Sequence, residues 1–303
     1  MPKSSWHSGP SKEQTDFYSE FTKREDDNRR AKQGESALAG ILGRAREAFA
    51  PAIPTGFVQL DKAVRFSPGR LLVLGARPGV GKTTLATQIA TQVLSASETG
   101  RVVYCSVEME AAEIGIKSLS CLSGVNCVTP FEEQDELKIE HVYTLAANAA
   151  TTLDRLHVYH GTELSSLTEV CRDFASDTKV PLKMIVVDFI TSLKPIGEYP
   201  TKAEAVGSIT TALKQLSKEL AVPILACAQL NRGTAANKRP TMKDLKDSGQ
   251  IEQDADVVML LHRQEEENKV ELIIDKNRFG QMSTLTMYPE LYLHRFRAPN
   301  PIC

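Results

Sequence analysis

Leu71-Leu72-Val73-Leu74-Gly75-Ala76-Arg77-Pro78-Gly79-Val80-Gly81-Lys82-Thr83-Thr84 is the stretch on which the fold turns. Its first four residues read as a buried strand. From Lys82 to Leu94 the pattern is helical. Between them, Gly79 and Gly81 let the backbone curl until successive N–H groups point at one anion. A strand, a glycine-rich turn and a helix opening on Lys-Thr form the context that a phosphate loop needs. The motif strictly begins with Gly; here Ala76 holds that place and Gly75 sits one earlier. Lys82 supplies a point charge between the β- and γ-phosphates of a nucleoside triphosphate, and the Thr83 hydroxyl is a Mg²⁺ ligand. Arg77, Pro78, Gly79, Val80, Gly81 and Thr84 complete the expected phosphate-binding set. The motif is strong for triphosphate binding and silent on which nucleotide is bound or what work is done.

Outward from the loop, apolar runs alternate with helical stretches. Val102 to Val107, Leu182 to Val187 and Pro223 to Ala228 read as strands. Ala111 to Cys121 and Lys202 to Leu220 read as helices. Continuous apolar runs spaced by helices imply a parallel sheet covered on both faces. After Ala255 the runs shorten to Val257–Leu261, Val270–Ile274, Thr284–Met287 and Tyr292–Phe296. These read as an antiparallel extension of the same sheet. The expected class is α/β: a phosphate-loop core with a mostly parallel sheet and a C-terminal antiparallel extension.

Chemistry at a phosphate loop needs an acid on the Mg²⁺ side and a base for the attacking water. In such a sheet both belong at the carboxyl ends of strands beside the loop. Asp188 ends Met184-Ile185-Val186-Val187 and fits the metal-side acid. Glu108 follows Val102–Val107 and is the candidate base, with a helix N-terminal acid as its plainer reading. Gln229 ends Ile224–Ala228 and can sense the γ-phosphate through its neutral amide. Asp256, in Asp254-Ala255-Asp256, reads as ordering a turn before a strand.

The composition sets outer bounds. The chain has 303 residues, 36 Lys plus Arg, 38 Asp plus Glu and a net charge of −2. That length suits one large domain, or a domain of roughly 250 residues with an appendage. Near-neutral charge excludes a general polycation, so any nucleic-acid binding must come from a local patch. Asn231 to Gly249 is such a patch, with Arg232, Lys238, Arg239, Lys243 and Lys246. No run of about 18 apolar residues could span a bilayer, and Met1 to Asp16 has no apolar secretory core. The six cysteines form no Cys-x-x-Cys pair, so buried, reduced thiols in a cytoplasmic protein are expected. Scattered histidines without ligand spacing exclude a zinc site.

Residues 1–33 are polar and mixed in charge and read as a disordered tail or a solvated helix. Residues 34–53 read as a linker: Leu38, Ile41, Leu42, Ala45 and Phe49 form one apolar stripe before Pro51 and Pro54 stop the helix. The stripe either folds back on its own core or docks on a neighbouring subunit. The main domain is expected over 54–303.

Several short runs carry a resemblance to a family. They are Pro54-Thr55-Gly56-Phe57, Leu60-Asp61, the loop itself, Ser106-Val107-Glu108-Met109, Asp188-Phe189 and Gln229-Leu230-Asn231-Arg232. After them come Lys238-Arg239-Pro240, the run Asp247-Ser248-Gly249-Gln250-Ile251-Glu252-Gln253-Asp254-Ala255-Asp256, and Lys276-Asn277-Arg278. In order and spacing, from Pro54 to Phe296, they resemble the C-terminal RecA-like motor domain of DnaB-type replicative DNA helicases. The run through Asp256 discriminates best, because a phosphate loop alone is shared with recombinases and circadian-clock ATPases.

The resemblance implies an ATP- and Mg²⁺-dependent hexameric ring that moves 5′ to 3′ on single-stranded DNA and unwinds duplex. ATP then lies between neighbours, and Lys276 and Arg278 match the pair that reaches the adjacent subunit's site. Lys117 matches a position where the family usually carries Arg near the γ-phosphate; Lys keeps the charge and loses the bidentate fork. Arg232, Asp247 and Gly249 match positions that hold single-stranded DNA, with Lys238 and Arg239 on the same loop. Asp247 stands where Glu is usual, and the loop has no aromatic residue for base stacking. Thr191 to Glu204 would be the other channel loop.

About 50 residues precede the main domain, so the resemblance implies a compact form without the family's primase-recruiting N-terminal domain. A primase or loader protein remains among the partners the family implies. Competing readings are a RecA- or clock-type ring or filament ATPase that binds DNA without unwinding it, and a non-hydrolysing helicase decoy.

Overall fold

All six residues of Leu71–Ala76 are buried, and they form the first strand, β1. A strand with no exposed face needs cover on both sides. A computed structural model of the protein describes residues 37–39, 42, 52–231, 238–245, 249–263 and 268–299. In it Leu72, Leu74 and Ala76 pack with Leu85, Ile89 and Val93 of the helix Lys82–Ser95. Leu71 and Val73 face the other way, against Ile209, Leu213 and Leu216 of the helix Lys202–Glu219 and Leu167 of the helix Leu164–Ser176.

In chain order the helices are α1 (Val58–Ala63), α2 (Lys82–Ser95), α3 (Ala111–Ser123), α4 (Thr129–Glu132), α5 (Glu136–Leu153), α6 (Leu164–Ser176), α7 (Lys202–Glu219) and α8 (Gly249–Asp254). After β1 come β2 (Arg101–Ser106), β3 (Leu156–His160), β4 (Leu182–Asp188), β5 (Ile224–Gln229), β6 (Val257–Arg263), β7 (Val270–Asn277), β8 (Ser283–Glu290) and β9 (Arg295–Arg297). Among the described residues they make one nine-stranded sheet in the order β3-β2-β4-β5-β1-β6-β7-β8-β9.

Strands β1 to β6 pair in parallel, and β7, β8 and β9 are antiparallel additions. This corrects one expectation. The run Val257–Leu261 is the last parallel strand, with Leu72 opposite Val257 and Ala76 opposite Leu261. The short helix α8 returns the chain to the amino end of β1 before β6 begins, so β6 starts beside Leu71.

A second correction falls at the C-terminus. Tyr292–Phe296 is not one strand but a 3₁₀ turn, Leu291–Leu293, followed by β9. His294 interrupts it with a left-handed backbone at φ 49°.

Six elements had no counterpart in the sequence reading: the short helices α1, α4 and α8, and α5, α6 and β3. In α6, Leu164, Leu167 and Cys171 mark a buried stripe that was there to be read. In α5 only Val142 is buried, and in β3 no residue is fully buried, so neither shows a strong period.

By internal contacts the chain divides between Ala50 and Pro51. In the first unit residues 37–39 and 42 are helical, and Leu38 and Leu42 are exposed. The expected tail over 1–33 and the remainder of the expected linker helix lie outside the described residues. Among the described residues no helix is long and apolar enough to cross a membrane. The described cysteines are all buried, and Cys303 lies outside them.

Candidate nucleotide site

The loop leaves the carboxyl end of β1 and enters α2 through two left-handed glycines, Gly79 at φ 79° and Gly81 at φ 106°. Only glycine takes such angles without strain. At Gly81 there is also no room, because a Cβ would stand 2.6 Å from Cζ of Phe296. Gly75 serves packing instead. A Cβ there would meet side chains of Leu245 and Leu260 at 2.7 Å. Ala76 faces the α2 side, where the core accepts its methyl. That explains why the glycine of the loop pattern stands one residue early.

Neighbouring strands bring their carboxyl ends to the same place. Gln229 pairs with Ala76, and Leu230 donates its N–H to the Ala76 carbonyl at 3.2 Å. Ser106 pairs with Asp188, and the Val107 N–H donates to the Asp188 carbonyl at 3.2 Å.

Asp188 is the centre of the site. Lys82 Nζ lies 3.0 Å from its Oδ1, with both side chains largely buried. The Thr83 hydroxyl donates to Oδ2 at 2.6 Å, and the Tyr104 hydroxyl lies 3.3 Å from the same oxygen. Thr87 in turn donates to the Tyr104 oxygen at 3.2 Å. Lys82 also sits 4.4 Å from the ring centroid of Phe189. Burial first, and then the Asp188 charge, push the Tyr104 phenol well above its ordinary pKa, so it stays a donor.

Oδ1 of Asp188 is buried and receives no well-aligned hydrogen bond, although Lys82 is close. One hydroxyl and one carboxylate are hard oxygen donors of the kind Mg²⁺ takes alongside phosphate oxygens and water. The residues therefore fit that ion. Tyr104 was missed at sequence level, because a tyrosine inside Val102–Val107 reads as core.

Glu108 is exposed on a bend, and β2 ends at Ser106, one residue earlier than expected. The Ser106 hydroxyl donates to the Met109 carbonyl at 2.6 Å, and the Met109 N–H lies 3.2 Å from that hydroxyl. His160 Nδ1 is 3.3 Å from the same carbonyl. Lys117, half-buried on α3, points its ammonium at the Met109 sulfur, 3.5 Å away. The Lys117 ammonium thus reaches the bend that carries Glu108.

Lys276 and Arg278 are elsewhere. Lys276 is opposite Val258, and the Arg278 N–H donates to the Asp256 carbonyl at 2.9 Å. Their head groups donate to the carbonyls of Glu252 and Gln253 in the last turn of α8. Asp256 accepts the Leu71 N–H at 2.9 Å, which fixes this corner at the amino end of β1. Six strand residues at about 3.3 Å each put it roughly 20 Å from the phosphate loop. Within one chain, then, the pair does not join Lys82, Thr83 and Asp188. Asp256 itself corrects the sequence reading: it is a buried ion-pair centre, not a simple turn residue.

The candidate nucleic-acid residues are dispersed. Gly249 opens α8 beside a groove of about 610 Å³ lined by Tyr199, Gly207, Thr211 and Gln253. Lys238 is exposed. Arg239 pairs with Glu271 at 3.2 Å and donates to Thr284. Lys194, the early cation of the other expected channel loop, pairs with Glu163 at 2.8 Å. Arg232, Lys246 and Asp247 lie outside the described residues.

A lysine and a threonine that follow a glycine-rich turn and gather on a strand-end aspartate define a phosphate-loop nucleotide-binding domain. Residues 52–298 match the DnaB-like helicase C terminal domain, and the chain belongs to that family. The replicative DNA helicase DnaB of Leifsonia xyli subsp. xyli is 32% identical over 265 residues, which are 82% of this chain and 56% of that protein. The replicative DNA helicase DnaC of Bacillus subtilis is 32% identical over 78% of this chain and 54% of its own length. A probable plasmid replicative DNA helicase of Chlamydia trachomatis is 30% identical over 86% and 60%. The chain therefore spans little more than half the length of these relatives. Among solved structures, the ATPase domain of G40P superimposes with a TM-score of 0.75 at 23% identity, covering 87% of this chain and 98% of that one. A DnaB-like replicative helicase described with its interactions with primase gives 0.73 at 23% identity, covering 86% and 66%. The fold is accordingly the RecA-like helicase ATPase fold.

Proposed function

We propose that the protein is an ATP-dependent replicative DNA helicase that works as a hexameric ring, moves 5′ to 3′ on single-stranded DNA and separates duplex. The observation that carries this is the division of one catalytic set between two ends of the sheet. Lys82, Thr83 and Asp188 meet at the carboxyl ends, whereas Lys276 and Arg278 sit at the amino end of β1. A cation pair that cannot reach its own loop supports a site shared with a neighbour, and copies arranged head to tail form a ring where the rotation between them closes.

In this reading Arg77 to Thr84 bind the phosphates. Lys82 turns from Asp188 to the β- and γ-phosphates. Thr83 and Asp188 would hold Mg²⁺, which supplies charge neutralisation between those phosphates. Glu108 takes the proton of the attacking water, Gln229 and Lys117 sense the γ-phosphate, and a neighbour's Arg278, helped by Lys276, stabilises the transferring phosphoryl group. Such a trans-acting arginine is worth about 10³–10⁵ in rate.

Arg232, Lys238, Arg239, Asp247 and Gly249 would hold the DNA backbone within the channel. Because one structural relative is described with its interactions with primase, a primase, or a loader, is the protein partner to seek. Replication work and buried thiols both suit the cytoplasm.

Lys82→Ala is the direct test. It should abolish DNA-stimulated ATP hydrolysis and unwinding of a forked duplex. Unwinding at the wild-type rate by this variant overturns the reading.

A further inference from the structure

Asp256 is almost completely buried and yet is surrounded by cations. Its Oδ2 accepts the Lys214 ammonium at 2.5 Å and the Leu71 N–H at 2.9 Å. Its Oδ1 lies 3.5 Å from Arg278 Nη1. Its backbone is used as well: the N–H donates to the Leu71 carbonyl at 2.8 Å, and the carbonyl accepts the Arg278 N–H at 2.9 Å. Lys214 is anchored a second time, by the Gly69 carbonyl at 2.8 Å. Arg70, buried beside this centre, lays its guanidinium 3.6 Å from the centroid of Phe279, the residue after Arg278.

Three elements thus converge on one carboxylate at the start of β6: β1, α7 and the end of β7. A turn-ordering residue would need only the local bonds. The bonds to Leu71, Lys214 and Arg278 reach across the fold instead. A buried carboxylate that satisfies several donors from separate elements fixes their relative positions, and it is costly to neutralise. The guanidinium of Arg278 is half exposed and held at one nitrogen by the Gln253 carbonyl. Arg278 is therefore held both at its backbone and at its terminal nitrogens, with about half of the side chain open to solvent.

We infer that Asp256 is the positioning residue of the Lys276–Arg278 pair, setting the place from which that pair enters the neighbouring subunit's nucleotide site. The inference rests on the reading that the pair acts in trans. Asp256 touches no substrate; it acts by holding the Arg278 backbone and guanidinium against β1.

The test uses mixed subunits. Asp256→Asn should bind a fluorescent ATP analogue within about twofold of wild type, while kcat falls by about 10², the loss that a misplacement of about 1 Å produces. Mixing Asp256→Asn with Glu108→Gln subunits creates interfaces where an intact phosphate site meets an intact Arg278. DNA-stimulated hydrolysis should then exceed that of either variant alone. Arg278→Ala mixed with Glu108→Gln is the parallel experiment. Recovery there, with none for Asp256→Asn, overturns the role of Asp256 and leaves the shared site standing. Recovery in neither overturns the shared site and this inference with it. Should Asp256→Asn not fold, Asp256→Asn/Lys214→Met removes both buried partners and enters the same mixing series.

Discussion

Gly81 answers two demands at once. Its φ of 106° lies in the left-handed region, and the Phe296 ring occupies the space a Cβ would need. Gly81→Ala should therefore lower unfolding free energy by about 1–3 kcal/mol through backbone strain. It should also weaken nucleotide binding, because the curl that aims the N–H groups opens. Urea unfolding and titration with a fluorescent ATP analogue check the two effects separately. Gly79, also left-handed but with nothing within 4 Å of a Cβ, should suffer the strain without the clash. Both glycines were legible from the motif. Tyr104 and Asp256 were not, since their partners lie 84 and 185 residues away in the chain.

At the scale of elements, the C-terminal strand clamps the phosphate-loop helix. Gln88 on α2 donates to the Phe296 carbonyl at 2.9 Å and accepts the Phe296 N–H at 2.6 Å, both buried. This pair holds β9 where Phe296 can fill the space under Gly81. Gln88→Leu keeps the volume and removes both partners, leaving a buried N–H and carbonyl unmatched. We expect a loss of about 2–6 kcal/mol, since each of the two orphaned groups costs about 1–3. The amide of Phe296 should also exchange faster with solvent, which hydrogen-exchange measurement reads directly. The antiparallel extension is thus part of the nucleotide site and not an ornament on its edge.

For the whole molecule, burial of two thiols in the core on one face of the sheet makes stability depend on pH. Cys105 and Cys171 are pushed up to about 12, mainly by desolvation, from an ordinary value of 9.0. In the unfolded chain both ionise near that ordinary value. Their contribution is therefore fully present below about pH 9 and is lost as pH rises from there through about 12. Urea midpoints should fall as pH climbs above about 9, and Cys105→Ala/Cys171→Ala should flatten that fall. The net charge of −2 also acquires a meaning at this scale. If the proposed ring forms, a modest basic loop repeated by each subunit would supply cations to one strand without the chain being basic.

The strand–loop–helix at 71–95, the α/β alternation and the roles open to Lys82, Thr83 and Asp188 could be read directly from the chain. Each depends on contiguous residues whose period and spacing carry the physics. The direction of β6 could not be read, because an apolar run is the same whichever way it pairs and the short return through α8 is what makes it parallel. Nor could the separation of Lys276 and Arg278 from the loop, which comes from strand order and leaves the pair and the loop at opposite ends of β1. Asp256 shows the difference most plainly. In the chain it is one acid in an acidic run; in the fold, burial strips its water and forces it to satisfy donors from three other elements, and that convergence exists only once the sheet is assembled.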